Sequence, residues 1–222
     1  MNDLTLIIPA KYEKESLPKV LDELKKFDVK KNIVLEKSDK LTVEAISNYD
    51  CKIIYQDSVG YGDALKKGIQ TTETEFFCIF NADGSFNPDE LNTMISKIEK
   101  DKYDFVFATR YEKNCGSDDD TIVTYVGNYI FTLLGKIFFK LGITDILYTF
   151  VMGRTSFAKK LELTAKDFSF CVELPIKAKR ANYKICTSKS YERSRIAGKK
   201  KVNAFKDGLK ILLSMIKLFF RY

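Results

Sequence analysis

The chain has 222 residues, 37 Lys plus Arg against 30 Asp plus Glu, and a formal net charge of +7. It contains no His, which excludes His-based acid–base catalysis, Ser-His-Asp and Cys-His nucleophile systems and His-ligated zinc, so any chemistry runs on carboxylates, Lys, Arg, Tyr or Cys. The length suits one domain, the positive balance favours an anionic partner, and five scattered Cys without a C-x-x-C pair or a secretory pattern point to a reduced, cytoplasmic setting.

Five β-rich runs come first: residues 4–10 (LTLIIPA), 32–36 (NIVLE), 52–56 (KIIYQ), 76–80 (FFCIF) and 104–110 (DFVFATR). Between them stand Leu17, Val20, Leu21 and Leu24, a weaker pattern at Ala45 and Ile46, and Leu91, Met94, Ile95 and Ile98, all at helical spacing. Asn87 followed by Pro88 is a helix start signal. This alternation predicts an α/β fold with right-handed crossovers and a mainly parallel sheet. Ligands of such sheets sit beyond the carboxyl ends of the strands, here residues 9–11, 36, 57–62, 81–85 and 109–111.

The second half reads differently. Residues 125–141 are apolar except for a stripe of Asn128, Thr132, Lys136 and Lys140, and with two Lys in 17 residues they make a poor bilayer span. The C-terminal run sets Lys206, Lys210, Lys217 and Arg221 along an otherwise apolar helix. Both read as amphipathic helices lying in a membrane interface with their cations near headgroups. Packing on the core or in a homodimer is the alternative.

The stretch FFCIFNADGSFNPDEL ends a buried strand on Asp83, a carboxylate placed to hold a divalent cation that also touches a diphosphate. Taken in order, IPAKYEKESLP (8–18), GYGDALKKG (60–68), NADGSFNPDEL (81–91), ATRY (108–111) and ERSRIAGKKK (192–201) resemble the inverting family 2 glycosyltransferases of GT-A fold. The likeness is strongest to dolichyl- or polyprenyl-phosphate sugar transferases and covers nearly the whole chain.

The resemblance implies one GT-A domain: a nucleotide-sugar-binding half (1–111), an acceptor-binding half with a basic lid (112–201), and the C-terminal helix (202–222). Pro9, Ala10, Tyr12 and Glu13 match the segment bordering the nucleotide, with Lys11 where Tyr is usual. Glu36 falls where the family places an Asp facing base and ribose. Gly60, Gly62 and Asp63 match the next nucleotide-contacting stretch, although Asp63 also stands at a helix start, where capping competes.

Asn81, Ala82 and Asp83 match the D-x-D-like metal motif with its first Asp replaced, and Ser85 joins Asp83 as a metal-site residue for Mg²⁺ or Mn²⁺. Arg110 is the residue expected to meet substrate phosphate. Asp145, with Arg154 nearby, matches an acceptor- or sugar-orienting segment, a structural cap being the other reading. Arg195 and Lys201 match a cationic loop, which Arg193, Lys199 and Lys200 extend into a lid.

The reaction so implied moves a sugar with inversion from a UDP- or GDP-sugar to polyprenyl or dolichyl phosphate. It takes place at a membrane surface, by an enzyme of the cytoplasmic side, with a homodimer or a membrane partner subunit possible. A dianionic acceptor phosphate needs no strong base. A hydroxyl acceptor on a glycan or lipid-linked sugar would need one, from Asp145 or from Asp118, Asp119 or Asp120. A nucleotide-binding module without turnover is the reading that Asn81 leaves open. Nucleic acid is not the expected partner, because the cations cluster beside apolar helices instead of alternating with stacking aromatics.

Overall fold

The structure, a computed structural model, describes residues 3–198 and 203–220. Strands in chain order are β1 (Leu4–Pro9), β2 (Lys30–Leu35), β3 (Lys52–Tyr55), β4 (Phe76–Ile79), β5 (Phe105–Thr109), β6 (Gly116–Ser117), β7 (Val151–Arg154), β8 (Ile185–Lys189) and β9 (Tyr191–Glu192). Helices are α1 (Leu17–Glu23), α2 (Lys40–Ala45), α3 (Tyr61–Thr71), α4 (Leu91–Glu99), α5 (Ile122–Phe139), α6 (Thr155–Lys160), α7 (Phe170–Arg180) and α8 (Ala204–Phe220). The five expected strands are present within a residue or two of their predicted limits.

Among the described residues the main sheet has seven strands in the order β3-β2-β1-β4-β7-β5-β8, and β6 pairs separately with β9. All pairings in the main sheet are parallel except those of β7, which runs antiparallel between β4 and β5. The period of two in β1 sends Leu4, Leu6 and Ile8 into one buried layer and Ile7 into the other. The first layer is closed by Leu17, Val20 and Leu21 of α1 and Leu91, Met94 and Ile98 of α4. The second is closed by Leu65 and Ile69 of α3, Val172 and Ile176 of α7, and Ile211 and Met215 of α8.

Strand order reverses between β1 and β4. Such a switch point opens a crevice above the carboxyl ends of both strands, where Pro9–Ala10 and Asn81–Asp83 lie. Asn87 caps the turn into α4 by accepting from Asp89 N–H at 3.1 Å, and Pro88 opens a 3₁₀ turn ahead of the helix.

α5 turns the first part of its polar stripe inward and most of its apolar side outward. Asn128 is buried and Thr132 half-buried against the 144–147 loop, whereas Ile122 (83% exposed), Tyr129 (62%), Ile137 (59%) and Phe138 (53%) face outward. Only Lys136 and Lys140 of the stripe are exposed. The upper part of the stripe is therefore the seam joining the helix to the domain, and the apolar remainder is the outer face. α8 packs beside α5, Phe138 meeting Phe219 edge-on at 5.6 Å. It buries Ile211, Met215 and Leu218 and leaves Phe205, Leu209, Leu213 and Phe220 exposed.

Candidate active site

A cleft of about 700 Å³ lies over the switch point. The end of β1 and the segment after it line the cleft: Pro9, Ala10, Lys11, Tyr12 and Glu13. This segment is anchored to the start of α2, since Tyr12 N–H donates to Asp39 at 2.6 Å and Glu13 N–H to Thr42 Oγ1 at 3.0 Å. Tyr12 takes a left-handed backbone (φ 56°) and stays 65% exposed, a conformation that a non-glycine residue holds at some cost. At the outer end Lys11 Nζ donates to Glu36 at 2.8 Å. Glu36 and Gln56 line the cleft beside it.

Asn81, Ala82 and Asp83 also line it. One Asp83 oxygen accepts Ser85 N–H at 3.0 Å, and the other faces Arg195 Nη1 at 3.6 Å. Gly84 has φ +84°, and a Cβ there would fall 2.4 Å from Ile196 Cδ1. That close approach lets the 192–198 segment bind the turn as a strap: Ile196 N–H donates to Asp83 C=O and Arg193 N–H to Ser85 C=O, both at 2.8 Å. Arg193 is an anchor of this strap, bonded to Glu23 and to Phe86 C=O, each at 2.8 Å. Arg195 does line the cleft, held by Asp119 at 2.7 Å. That hydrogen bond, against the cost of burial, raises its pKa. Lys199, Lys200 and Lys201 lie outside the described residues.

The donor set fits a divalent cation that arrives with a diphosphate. Mg²⁺ and Mn²⁺ are commonly held by one or two carboxylates, the rest of the shell being phosphate oxygens and water. Asp83 supplies one such carboxylate, and among the described residues no three acidic or thiol side chains converge to enclose an ion unaided. Ser85, expected at the metal, is 1% exposed and does not line the cleft. Its hydroxyl lies 3.4 Å from the Asn81 amide nitrogen, which donates to it.

Arg110 lines the opposite wall, yet it is not a free phosphate clamp. Nε and Nη2 donate to the two oxygens of Asp145 at 2.7 and 3.0 Å, and Nη1 donates to Glu192 at 2.8 Å. Its guanidinium carbon also lies 4.4 Å from the Tyr148 ring centre. Burial alone would lower its pKa, but Asp145 and then Glu192 reverse that and raise it. Asp145, with a side chain 0% exposed, is buried behind Arg110 and also accepts from Asn128. It orders the wall and does not line the cleft. Arg154 sits at the far end of the sheet, paired with Glu75 at 2.5 Å.

Gly60 lines the cleft, but the need for glycine comes from elsewhere. A Cβ at Gly60 (φ +137°) would fall 2.1 Å from Lys166 C=O, and one at Gly62 would fall 2.7 Å from Ala165 C=O. The loop 164–167, not a ligand, is what approaches so closely. Asp63 turns away from the cleft and accepts from Ser58 N–H at 2.8 Å and Ser58 Oγ at 2.9 Å. Burial pushes its carboxyl up, but the Ser58 bonds outweigh this and hold it below its ordinary value of 3.8.

Sequence reading did not select Glu192, Asn128 or the apolar end of the cleft, where Leu147, Phe168, Cys171 and Ile211 stand. Burial pushes the Cys171 thiol up to about 12. Asn128 carried a usable signal: a lone amide inside an apolar helix requires a buried partner.

A switch-point cleft with carboxylates at its strand ends, a cationic strap and a single β7 reversal defines a nucleotide-sugar-binding α/β fold of the GT-A kind. The chain belongs to glycosyl transferase family 2, whose model it matches over residues 5–162. Uncharacterized glycosyltransferases of Mycobacterium bovis and Mycobacterium tuberculosis are 25% identical over 97 residues, a stretch that is 44% of this chain and 44% of theirs.

The fold is shared with glucosyl-3-phosphoglycerate synthase from Mycobacterium tuberculosis. In complex with Mn²⁺, UDP and glucosyl-3-phosphoglycerate, that enzyme superposes with a TM-score of 0.78 at 13% identity over 97% of this chain and 79% of its own. With Mn²⁺ and UDP-glucose the TM-score is 0.77 at 13% identity, over 97% and 78% of the two chains.

Proposed function

We propose that the protein transfers a sugar, with inversion and with a divalent cation, from a nucleotide sugar to a lipid phosphate at a membrane surface. The observation that carries the acceptor is the lining of the cleft. Asp83 and Arg195 share it with Leu147, Phe168, Cys171 and Ile211, so one cavity offers a cation-holding carboxylate and an apolar lining. Ile211 belongs to α8, and Thr124 and Asn128 of α5 line the same cleft. The helices with exposed apolar faces thus wall the site itself, which suits an acceptor whose phosphate enters while its chain stays in the bilayer.

In this reading Pro9–Glu13, Glu36 and Gln56 hold the nucleoside, and Arg195 meets phosphate from the strap. A cation on Asp83, Mg²⁺ or Mn²⁺ as in the structural neighbours, would neutralise charge growing on the departing nucleoside diphosphate. A lipid phosphate is a dianion at neutral pH. Its oxygen attacks the anomeric carbon as the bond to the diphosphate breaks, with no proton to remove. This agrees with a chain lacking His.

The test is transfer from radiolabelled UDP- and GDP-sugars, with Mn²⁺, to polyprenyl phosphate, to 3-phosphoglycerate and to oligosaccharides. Label entering the lipid fraction, lost in Asp83→Ala with the fold intact, supports the reading. Transfer only to phosphoglycerate, the acceptor of the structural neighbours, or only to oligosaccharides overturns the acceptor. Nucleotide binding without turnover overturns the enzyme.

A further inference from the structure

Arg195 stands in an unusual position. It grips Asp119 with two bonds, Nη2 at 2.7 Å and Nε at 3.3 Å, while Nη1 faces Asp83 at 3.6 Å. The last distance is too long for a hydrogen bond but well within the range over which a positive charge stabilises a carboxylate. The strap cannot carry the residue away easily. Main-chain bonds on both sides of it, from Arg193 and Ile196, tie it to the Asp83–Ser85 turn, and Ile196 packs where Gly84 lacks a side chain. The guanidinium is therefore delivered to the rim of the carboxylate that binds the cation, and a second carboxylate keeps it from closing fully.

We propose that Arg195 is a resident counter-cation for Asp83, so that a divalent ion and this guanidinium exclude one another at the turn until a diphosphate joins them. An ion held by Asp83 would stand within a few ångströms of the guanidinium, which is 3.6 Å from that carboxylate, with no anion to offset the two positive charges. A diphosphate removes the conflict, because it ligates the ion on one side and accepts from Arg195 on the other. Metal and nucleotide then bind as one unit, and the metal alone binds weakly. Asp119 sets the balance by holding the guanidinium back. This inference rests on Asp83 as the metal carboxylate proposed above and goes beyond it by assigning opposite effects to Arg195 and Asp119.

The experiment is a titration of the full chain with Mn²⁺ alone, read by the loss of the free-ion electron paramagnetic resonance signal, then repeated with UDP. A neighbouring charge at this distance changes a carboxylate's cation affinity by about tenfold or more. Arg195→Gln is therefore expected to tighten Mn²⁺ alone by about that factor while weakening the gain that UDP adds. Asp119→Asn, which lets the guanidinium close on Asp83, is expected to weaken Mn²⁺ alone. Circular dichroism and melting temperature confirm that both variants fold. If Asp83→Asn abolishes Mn²⁺ binding but Arg195→Gln and Asp119→Asn leave it unchanged, Arg195 has no such role and the metal site stands. If Asp83→Asn leaves Mn²⁺ binding unchanged, the metal reading of Asp83 fails and this proposal goes with it.

Discussion

Arg110 and Asp145 meet as a two-pronged ion pair, Nε to Oδ2 at 2.7 Å and Nη2 to Oδ1 at 3.0 Å, and the Arg110 main-chain N–H adds a third bond at 3.1 Å. The pair joins the end of β5 to the loop after α5, and Asn128 of α5 bonds the same carboxylate. One buried cation thus fixes how α5 sits against the sheet.

Removing one member of such a pair leaves a buried charge without its partner, which costs about 3–5 kcal/mol, whereas replacing both with apolar groups is often near neutral. Arg110→Met is expected to lose that much stability in urea denaturation, and Arg110→Met with Asp145→Leu to recover only part of it, because Glu192 and Asn128 then lose a buried partner. A single variant as stable as the parent would show the pair to be incidental.

Much of the sheet was legible because β1, β2, β4 and β5 are apolar runs with turn residues at their ends, the pattern of strands buried on both faces. β7 was not. It is only the four residues VMGR, and Gly153 in it carries no pattern; a Cβ there would fall 2.5 Å from Phe105 Cδ1. Its antiparallel entry between β4 and β5 is a tertiary event that βαβ alternation does not encode. α7 was hidden by Pro175 within it.

The rim of the site could be read for the same reason as the sheet, since a strand end marks its own position. The partners of the charges could not. Arg110 meets Glu192 across 82 residues and Arg195 meets Asp119 across 76, and no local spacing records either pairing. Hence the family resemblance offers Arg110 as a cation for phosphate, although the fold surrounds it with carboxylates.

Glu173 predicts an acid limit to stability. It accepts Thr164 N–H at 2.9 Å, Ala165 N–H at 2.8 Å and Lys177 Nζ at 2.9 Å. Burial pushes its carboxyl up, but these donors outweigh that and hold it below its ordinary value of 4.5. The unfolded chain therefore binds the proton more tightly, so this stabilisation is complete above about pH 4.5 and is lost as pH falls through the lower folded value. Charged hydrogen bonds are worth about 1.5–3 kcal/mol each. Glu173→Gln should melt several degrees lower at pH 7, with the difference from the parent shrinking towards pH 3. A gap that stays constant over that range would remove Glu173 as the titrating group.

Gly60 and Gly127 make opposite predictions for the same substitution. Alanine at Gly60 meets Lys166 C=O at 2.1 Å in a left-handed backbone, whereas at Gly127, within α5, nothing lies within 4 Å of the added carbon. Gly60→Ala should cost at least about 1–3 kcal/mol, and Gly127→Ala should gain roughly 0.5–1 kcal/mol. Both are read by thermal melting. A Gly60→Ala chain with an unchanged melting temperature but weakened UDP binding would return this glycine to a nucleotide-contacting role.

The outward face of α5 and α8 gives the last prediction. A globular domain in water buries the apolar side of a surface helix, and here the polar atoms of Asn128 and Thr132 are turned inward while Ile130 (50%), Phe138 (53%) and Leu213 (56%) remain exposed. Burying an Ile or Phe side chain is worth up to about 1.5–3 kcal/mol, and each Lys near an anionic surface adds about 1 kcal/mol. The full chain should therefore sediment with vesicles containing phosphatidylglycerol. Raised salt should weaken this binding without abolishing it, because only the part due to Lys136, Lys206 and Lys217 is screened. Ile130→Glu with Leu213→Glu should release the protein from the vesicles, leave its melting temperature near that of the parent, and lower transfer to polyprenyl phosphate while UDP affinity is kept. Release by salt alone, with no effect of the two Glu substitutions, would make the contact purely electrostatic and leave the apolar face without a role in it.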